Sequence, residues 1–226
     1  MKKPEHSIAK RQAFGFTLIE LLTVIAIIGV LAGLLVGLAP VASRKMKESR
    51  IQAELAQLIL GIENFRTDLG YYPPDHPYAS GGVTNYAVNQ LFYELTGTVV
   101  ANPQAVSTAR YTTANGLSTL SSAAILSVFG TPGFVNVAED PKSVKNFLRT
   151  VRESQVKQVT VANQAVLLLV VPVELPRGVS ASPQLPPQIN PWRYNSSTPV
   201  HNPGRFDLWA EVRIGTKTNV FGNWRD

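Results

Sequence analysis

FTLIELLTVIAIIGVLAGLLVGLA, residues 16–39, is the stretch from which the rest of the chain is read. Its 24 residues carry a single charge, Glu20, in an otherwise apolar run. As a helix rising about 1.5 Å per residue, the run spans roughly 36 Å, enough to cross a hydrocarbon core of about 30 Å with tilt. Lys2, Lys3, Lys10 and Arg11 precede it against Glu5, and the positive-inside rule keeps this basic leader on the cytoplasmic side. Arg44, Lys45, Lys47 and Arg50 come after it and pull the other way. They lie on a continuing helix, however, and a short basic leader is hard to translocate. A secretory signal has a shorter apolar region, about 7–15 residues, that ends at a small-residue cleavage site. Pro40-Val41-Ala42-Ser43 imitates such a site only loosely. An ordinary signal anchor accounts for everything here except Glu20.

A carboxylate in hydrocarbon costs several kcal/mol unless it is paired or neutralised. Cleavage before Phe16 would create an α-amino group four residues from Glu20. In neighbouring subunits the two groups would share a membrane depth, so the ammonium of one pairs with the carboxylate of the next. Such pairing rewards assembly and sets axial stagger. The competing reading is a glutamate close enough to the cytoplasmic face to snorkel into water. The residues alone leave both open.

Residues 10–22, KRQAFGFTLIELL, closely resemble the class III signal of type IV prepilins and type II secretion pseudopilins. The resemblance implies cleavage after Gly15 by prepilin peptidase, a membrane aspartyl enzyme, N-methylation of Phe16, and a docking role for Glu20. It implies a single-pass inner-membrane protein, with its N-terminus cytoplasmic and its C-terminal domain periplasmic. Its partners would be other pseudopilin subunits in a filament and, indirectly, the secretion platform and its ATPase. Glycine before the cut lets the backbone enter a protease cleft without a side-chain clash.

Within the apolar run, Gly29, Gly33 and Gly37 share one helical face, a packing seam or a chance spacing in a glycine-rich span. Pro40 removes a backbone donor and is expected to kink the helix. Ile51, Leu55, Leu58, Ile62, Phe65 and Leu69 then continue at steps of 4, 3, 4, 3 and 4, an apolar helical stripe. Lys47, Gln52, Glu54, Gln57 and Glu63 are assigned to the other faces. Gly70 is placed to end the helix. The run Asp68-Leu69-Gly70-Tyr71-Tyr72-Pro73 resembles the segment after the long helix of pseudopilins, a second match that favours that branch over adhesive pilins.

The expected fold is α+β and pilin-like, a long N-terminal helix packed on a small antiparallel sheet. Residues 1–15 form the leader, 16–39 the transmembrane half and 40–70 the amphipathic half. Residues 71–226 form the globular domain, with a 98–150 insertion and a proline-rich loop at 176–204. Within it, Asn89–Gly97 reads as a short helix with a glycine stop, and Lys142–Lys157 as another helix. Val166–Val171 reads as a buried strand, and Phe206–Ile214 as an alternating strand. Residues 98–140 give weak signals.

Major pseudopilins of the G type often close with D-L-W and then an acidic calcium loop. Asp207-Leu208-Trp209 and the terminal Asn223-Trp224 resemble that pattern. Between Ile214 and Arg225 there is no carboxylate and there is one lysine. Calcium takes six to eight oxygens, so no tight site and no other metal or cofactor is expected.

The chain has 226 residues, 45% hydrophobic and 16% charged, with mean hydropathy +0.04, room for one domain or one domain and an appendage. Net charge is +6, and the first fifteen residues supply four positive charges and one negative, leaving +3 after cleavage. No Lys/Arg run interleaves with aromatics, so no nucleic-acid partner is expected. The absence of cysteine excludes disulfides, thiol catalysis and Cys-based zinc sites. His6, His76 and His201 are isolated, and no hydrolase, metalloprotease or phosphate-binding motif occurs. No catalytic residue is assigned: Asp75, His76 and Asp207 read as solvated loop residues. The expected function is a structural subunit of a type II secretion filament. The alternatives are a type IV pilus or DNA-uptake pilin, and a membrane-anchored periplasmic binding module using residues 98–205.

Overall fold

A computed structural model of the protein describes residues 15–76, 78–80, 83–105, 108–148, 150–214 and 217–224. The basic leader up to Phe14 lies outside them, as do Gly81-Gly82. The chain divides into two units, with the boundary after Lys45.

Helix α1 (Leu18–Leu69) is continuous through Pro40, so the proline deletes one ladder bond without ending the helix. It is long and apolar enough to cross a membrane, and residues 16–35 are all exposed in the isolated chain. Past the unit boundary the same helix acquires a buried stripe. Ile51, Ile62 and Phe65 are completely buried, and Leu55 and Leu58 nearly so. Each such side chain contributes roughly 1.5–3 kcal/mol of transfer free energy. Gly70 ends the helix in the left-handed region (φ 88°), its N–H donating to Arg66 O at 2.8 Å.

One residue departs from the expected pattern. Glu54 is buried, not on the solvent face, and its Oε1 accepts from Trp192 Nε1–H at 2.8 Å. The indole of a distant segment reaches the helix there, and a buried carboxylate is retained because it has that donor.

The globular unit is built from a β1 (Tyr78–Ser80)–β2 (Val83–Asn85) hairpin and helix α2 (Leu91–Thr96), followed by a four-stranded sheet. That sheet contains β3 (Thr98–Ala101), β4 (Arg110–Thr113), β5 (Thr119–Ser121) and β6 (Val137–Ala138), in the order β5-β4-β3-β6, with helix α3 (Ser122–Phe129) between β5 and β6. Next come a hairpin of β7 (Val156–Val161) and β8 (Gln164–Leu169), then a sheet of β9 (Arg193–Asn195), β10 (Asp207–Ile214) and β11 (Lys217–Gly222). All pairings are antiparallel except β3 with β6. The fold is thus α+β with a long N-terminal helix, and the sheet is split into several short ones. Ala162 and Asn163 both take positive φ (49° and 60°), the turn geometry that suits the twist of a two-residue hairpin.

The stretch 98–150 contributes Leu120, Ile125, Val128, Phe129, Phe134 and Leu148 to the same core as α1. The helix expected over Lys142–Lys157 is not formed. Single 3-10 turns occupy Pro141–Ser143 and Glu153–Gln155, and β7 starts at Val156. Tertiary contacts override the local preference: Phe147 N–H donates to Leu95 O at 2.8 Å, and the Phe147 ring packs on Phe65 with centroids 5.4 Å apart. Gly97 (φ 76°) permits this approach, since a Cβ there would lie 2.6 Å from Lys145 O. The short helix over Asn89–Gly97 and the strands over Val166–Val171 and Phe206–Ile214 do form, as α2, β8 and β10. The proline-rich 176–204 segment is irregular except for β9.

Glu94 on α2 is completely buried and anchors the chain that enters β6. Its carboxylate accepts from Val135 N–H (3.0 Å), Asn136 N–H (2.9 Å) and Gln90 Nε2 (3.0 Å), and Asn136 Nδ2 donates back to Glu94 O at 2.7 Å. Burial pushes this carboxyl from 4.5 up to about 7, against the pull of the two backbone donors. The unfolded chain ionises first, so the stability from this group is fully present below its unfolded pKa and is lost as pH rises through about 7. In detergent, the folded unit of the full chain is expected to melt lower at pH 8 than at pH 5, by up to ~3 kcal/mol of stability. The Glu94→Gln variant is expected to be less stable at pH 5 and flatter across this window.

Candidate functional site

The N-terminal site is assembled by one turn of chain. Gly15, Phe16 and Thr17 precede the helix, which starts at Leu18. A Cβ built on Gly15 meets no atom within 4 Å, and Phe16 is 77% exposed. Thr17 occupies the cap position. Thr17 N–H and Oγ1–H both donate to Glu20 Oε2, at 2.8 and 2.7 Å, and Thr17 Oγ1 accepts from Glu20 N–H at 3.3 Å. This is a reciprocal capping box, worth on the order of 1 kcal/mol to a helix start, with a carboxylate at the positive end of the helix dipole. Glu20 therefore already has partners within its own chain, and its carboxylate is held over the first turn, next to the residue after Phe16. Thr17 has no role on sequence grounds above, although threonine three residues before glutamate and ahead of an apolar run is the signature of such a box. Gly29 and Gly33 likewise have no neighbouring atoms, leaving that helix surface open.

A second constellation closes the C-terminus. Asp207, the first residue of β10, has a side chain only 3% exposed. One oxygen accepts from Val200 N–H (2.7 Å) and His201 N–H (2.9 Å); the other accepts from Asn202 N–H (2.9 Å) and Nδ2 (3.1 Å). Burial alone would raise this carboxyl, but the His201 and Val200 backbone donors, the His201 ring and the Asn202 N–H outweigh it and hold it below the usual range. His201 Nδ1 lies 3.3 Å from the same carboxylate, and the imidazole stacks on Trp224 with centroids 3.8 Å apart and planes 4° from parallel. Asn223 Nδ2 donates to Phe206 O at 2.9 Å, and Asn223 Oδ1 accepts from Leu208 N–H at 2.9 Å. Gly222 allows the Trp224 ring to fold over, since a Cβ there would sit 2.9 Å from it. The terminal loop is thus tied down by amide, carboxylate and ring contacts.

Asp75 is buried, not solvated as its loop position suggested. It accepts from Ser196 N–H and Ser197 N–H at 3.1 Å, and from Ser197 Oγ at 2.7 Å. Tyr194 OH and Ser196 Oγ donate to Pro73 O, each at 2.8 Å. Ser197 is therefore brought to a carboxylate, while the His201 ring is engaged by Asp207. Among the described residues, no group of three or more His, Asp or Glu side chains is placed to hold a metal ion.

Against known protein families, residues 10–36 match the prokaryotic N-terminal methylation motif. The match supports a type IV pilin-like protein, a class of structural subunits anchored by one apolar N-terminal helix. In comparisons with curated proteins and with solved structures, nothing matches the chain.

Asp207→Asn turns an NH2 toward several donors and is expected to cost about 3 kcal/mol, read from the unfolding midpoint of the full chain. Millimolar calcium or a chelator is expected to leave the wild-type midpoint unchanged, because the loop is closed by its own side chains.

Proposed function

We propose that this protein is a filament subunit of the type II secretion kind, a pseudopilin most like the major G type. Prepilin peptidase cuts after Gly15, and the new N-terminal Phe16 is methylated. The helix over 16–39 holds the protein in the inner membrane, with the leader cytoplasmic. The amphipathic half, 40–70, carries the periplasmic domain, 71–226. An ATPase-driven platform draws subunits into a filament that works in protein export.

The observation that carries this reading is the methylation motif at residues 10–36, whose described apolar part from Leu18 onward belongs to helix α1 (Leu18–Leu69). The openness around Gly15 and the exposure of Phe16 suit peptidase access. The capping box supports a role for Glu20 in assembly: it keeps the carboxylate at the membrane depth of the chain start, where the amine of a neighbouring subunit can compete for it. Exchanging two N–H and O–H donors for an ammonium strengthens the contact in a medium of low dielectric. The fastening of Pro73 by Tyr194 and Ser196 gives a structural use to the end of the segment that resembles pseudopilins.

Intact-mass measurement and N-terminal sequencing of protein from native membranes test the processing. A chain starting at methylated Phe16 is expected, with Gly15→Val retaining residues 1–15. Recovery of an uncut wild-type chain overturns the reading. In the same preparations Glu20→Ala is expected to be cut normally yet to lose filament assembly at least tenfold, scored by cross-linked oligomers.

A further inference from the structure

Strand β10 places Glu211 and Arg213 on one face, since residues two apart on a strand point the same way, and both are exposed. Arg193, on the neighbouring strand β9, lies beside them with a side chain 13% exposed. It forms an ion pair with Glu211, with Nη2 to Oε1 at 3.8 Å, a contact too long for a hydrogen bond. Arg193 Nη1 is fully enclosed and has no hydrogen-bond acceptor among the described residues. Burial pulls the Arg193 pKa below its ordinary value, with Glu211 opposing. A guanidinium that is desolvated and only loosely paired leaves a cost that another anion nearby would offset.

A cavity of about 190 Å³ adjoins these groups. Arg193, Arg213, Glu211 and Thr218 supply its polar wall, and Val179 and Ala181 of the proline-rich segment are on its apolar side. Thr218 pairs with Arg213 across β10 and β11, which fixes the polar wall in register. Two arginines against one glutamate leave a formal charge of +1, matched by one monoanion, whereas a dianion would be repelled by Glu211. The apolar side suits a short methylene stem. We propose that this cavity binds an acidic side chain, glutamate or aspartate, presented by a protein partner. Arg213 meets the carboxylate directly, Arg193 supplies through-space charge compensation, and Val179 and Ala181 cover the stem. Nothing in this cavity depends on how the N-terminus is processed.

The test uses the full chain in detergent micelles with 15N-labelled arginine, titrated with the α-amide of N-acetylglutamate. A saturable shift of the Arg193 and Arg213 side-chain N–H resonances is expected, with none from the glutamine analogue. Arg213→Gln, an exposed position that the fold tolerates, is expected to weaken binding at least tenfold, read at the Arg193 resonance. Three outcomes each overturn the proposal: no saturable shift, unchanged affinity in Arg213→Gln, or inorganic phosphate binding at the same half-saturation as the glutamate probe.

Discussion

A single helix in this protein has to satisfy two solvents, and the rest of the molecule is arranged around that requirement. From Leu18 to Leu35 the helix exposes apolar residues on every side, which suits a hydrocarbon environment. From Ile51 one stripe of its apolar residues is buried, and burial of that stripe organises the core, while Leu60 stays exposed outside it. Apart from the bond lost at Pro40, the backbone hydrogen bonds of the N-terminal apolar half are made within the helix, as a lipid environment demands. The soluble half needs a folded unit against it, and the four-stranded sheet, the β7–β8 hairpin and the β9–β11 sheet all contribute side chains to the common core.

Buried carboxylates do much of the fastening. Glu54 takes the Trp192 indole, Asp75 the Ser196 and Ser197 amides, Glu94 the Val135 and Asn136 amides, and Asp207 the amides at 200–202. Asp75, Glu94 and Asp207 sit near the start or end of a regular element, whereas Glu54 lies within α1, and all but Asp207 reach donors tens of residues away. Short sheets with few ladder bonds leave many backbone N–H groups to satisfy, and these carboxylates supply acceptors where the ladders stop. The same pattern makes the globular unit sensitive to protonation at several points, in opposite directions for Glu94 and Asp207.

The long helix, its stripe and its stop at Gly70 were legible because they depend on local periodicity and glycine's access to positive φ. Leu91–Thr96, Gln164–Leu169 and Asp207–Ile214 were legible for similar reasons: a glycine stop, an apolar run and an alternation. Lys142–Lys157 reads as a helix in sequence yet does not form one, because Phe147 and Leu148 are held by Leu95 and the core, which no window of sequence reveals. A helical wheel puts Glu54 off the buried stripe, because it carries no sign that Trp192 arrives there. At the N-terminus, Gly15, Phe16 and Glu20 stood out by motif and by the oddity of a charge in an apolar run. Thr17 did not, since threonine in a hydrophobic segment attracts no notice until its hydroxyl is seen bonding the glutamate.

The stitching of Pro73 and Asp75 to β9 has a mechanical consequence. Any subunit drawn out of a bilayer by its helix receives tension along one axis, and the helix exit is where that tension would first peel the chain from its domain. Tyr194, Ser196 and Ser197 grip the exit within four residues, through five hydrogen bonds that share the pull. Bonds that stretch together resist rupture far better than bonds that open one after another. Under such a pull the junction would act as a strain relief, like the moulded collar where a cable enters its plug, passing load from the helix into the strands instead of letting it unzip the turn.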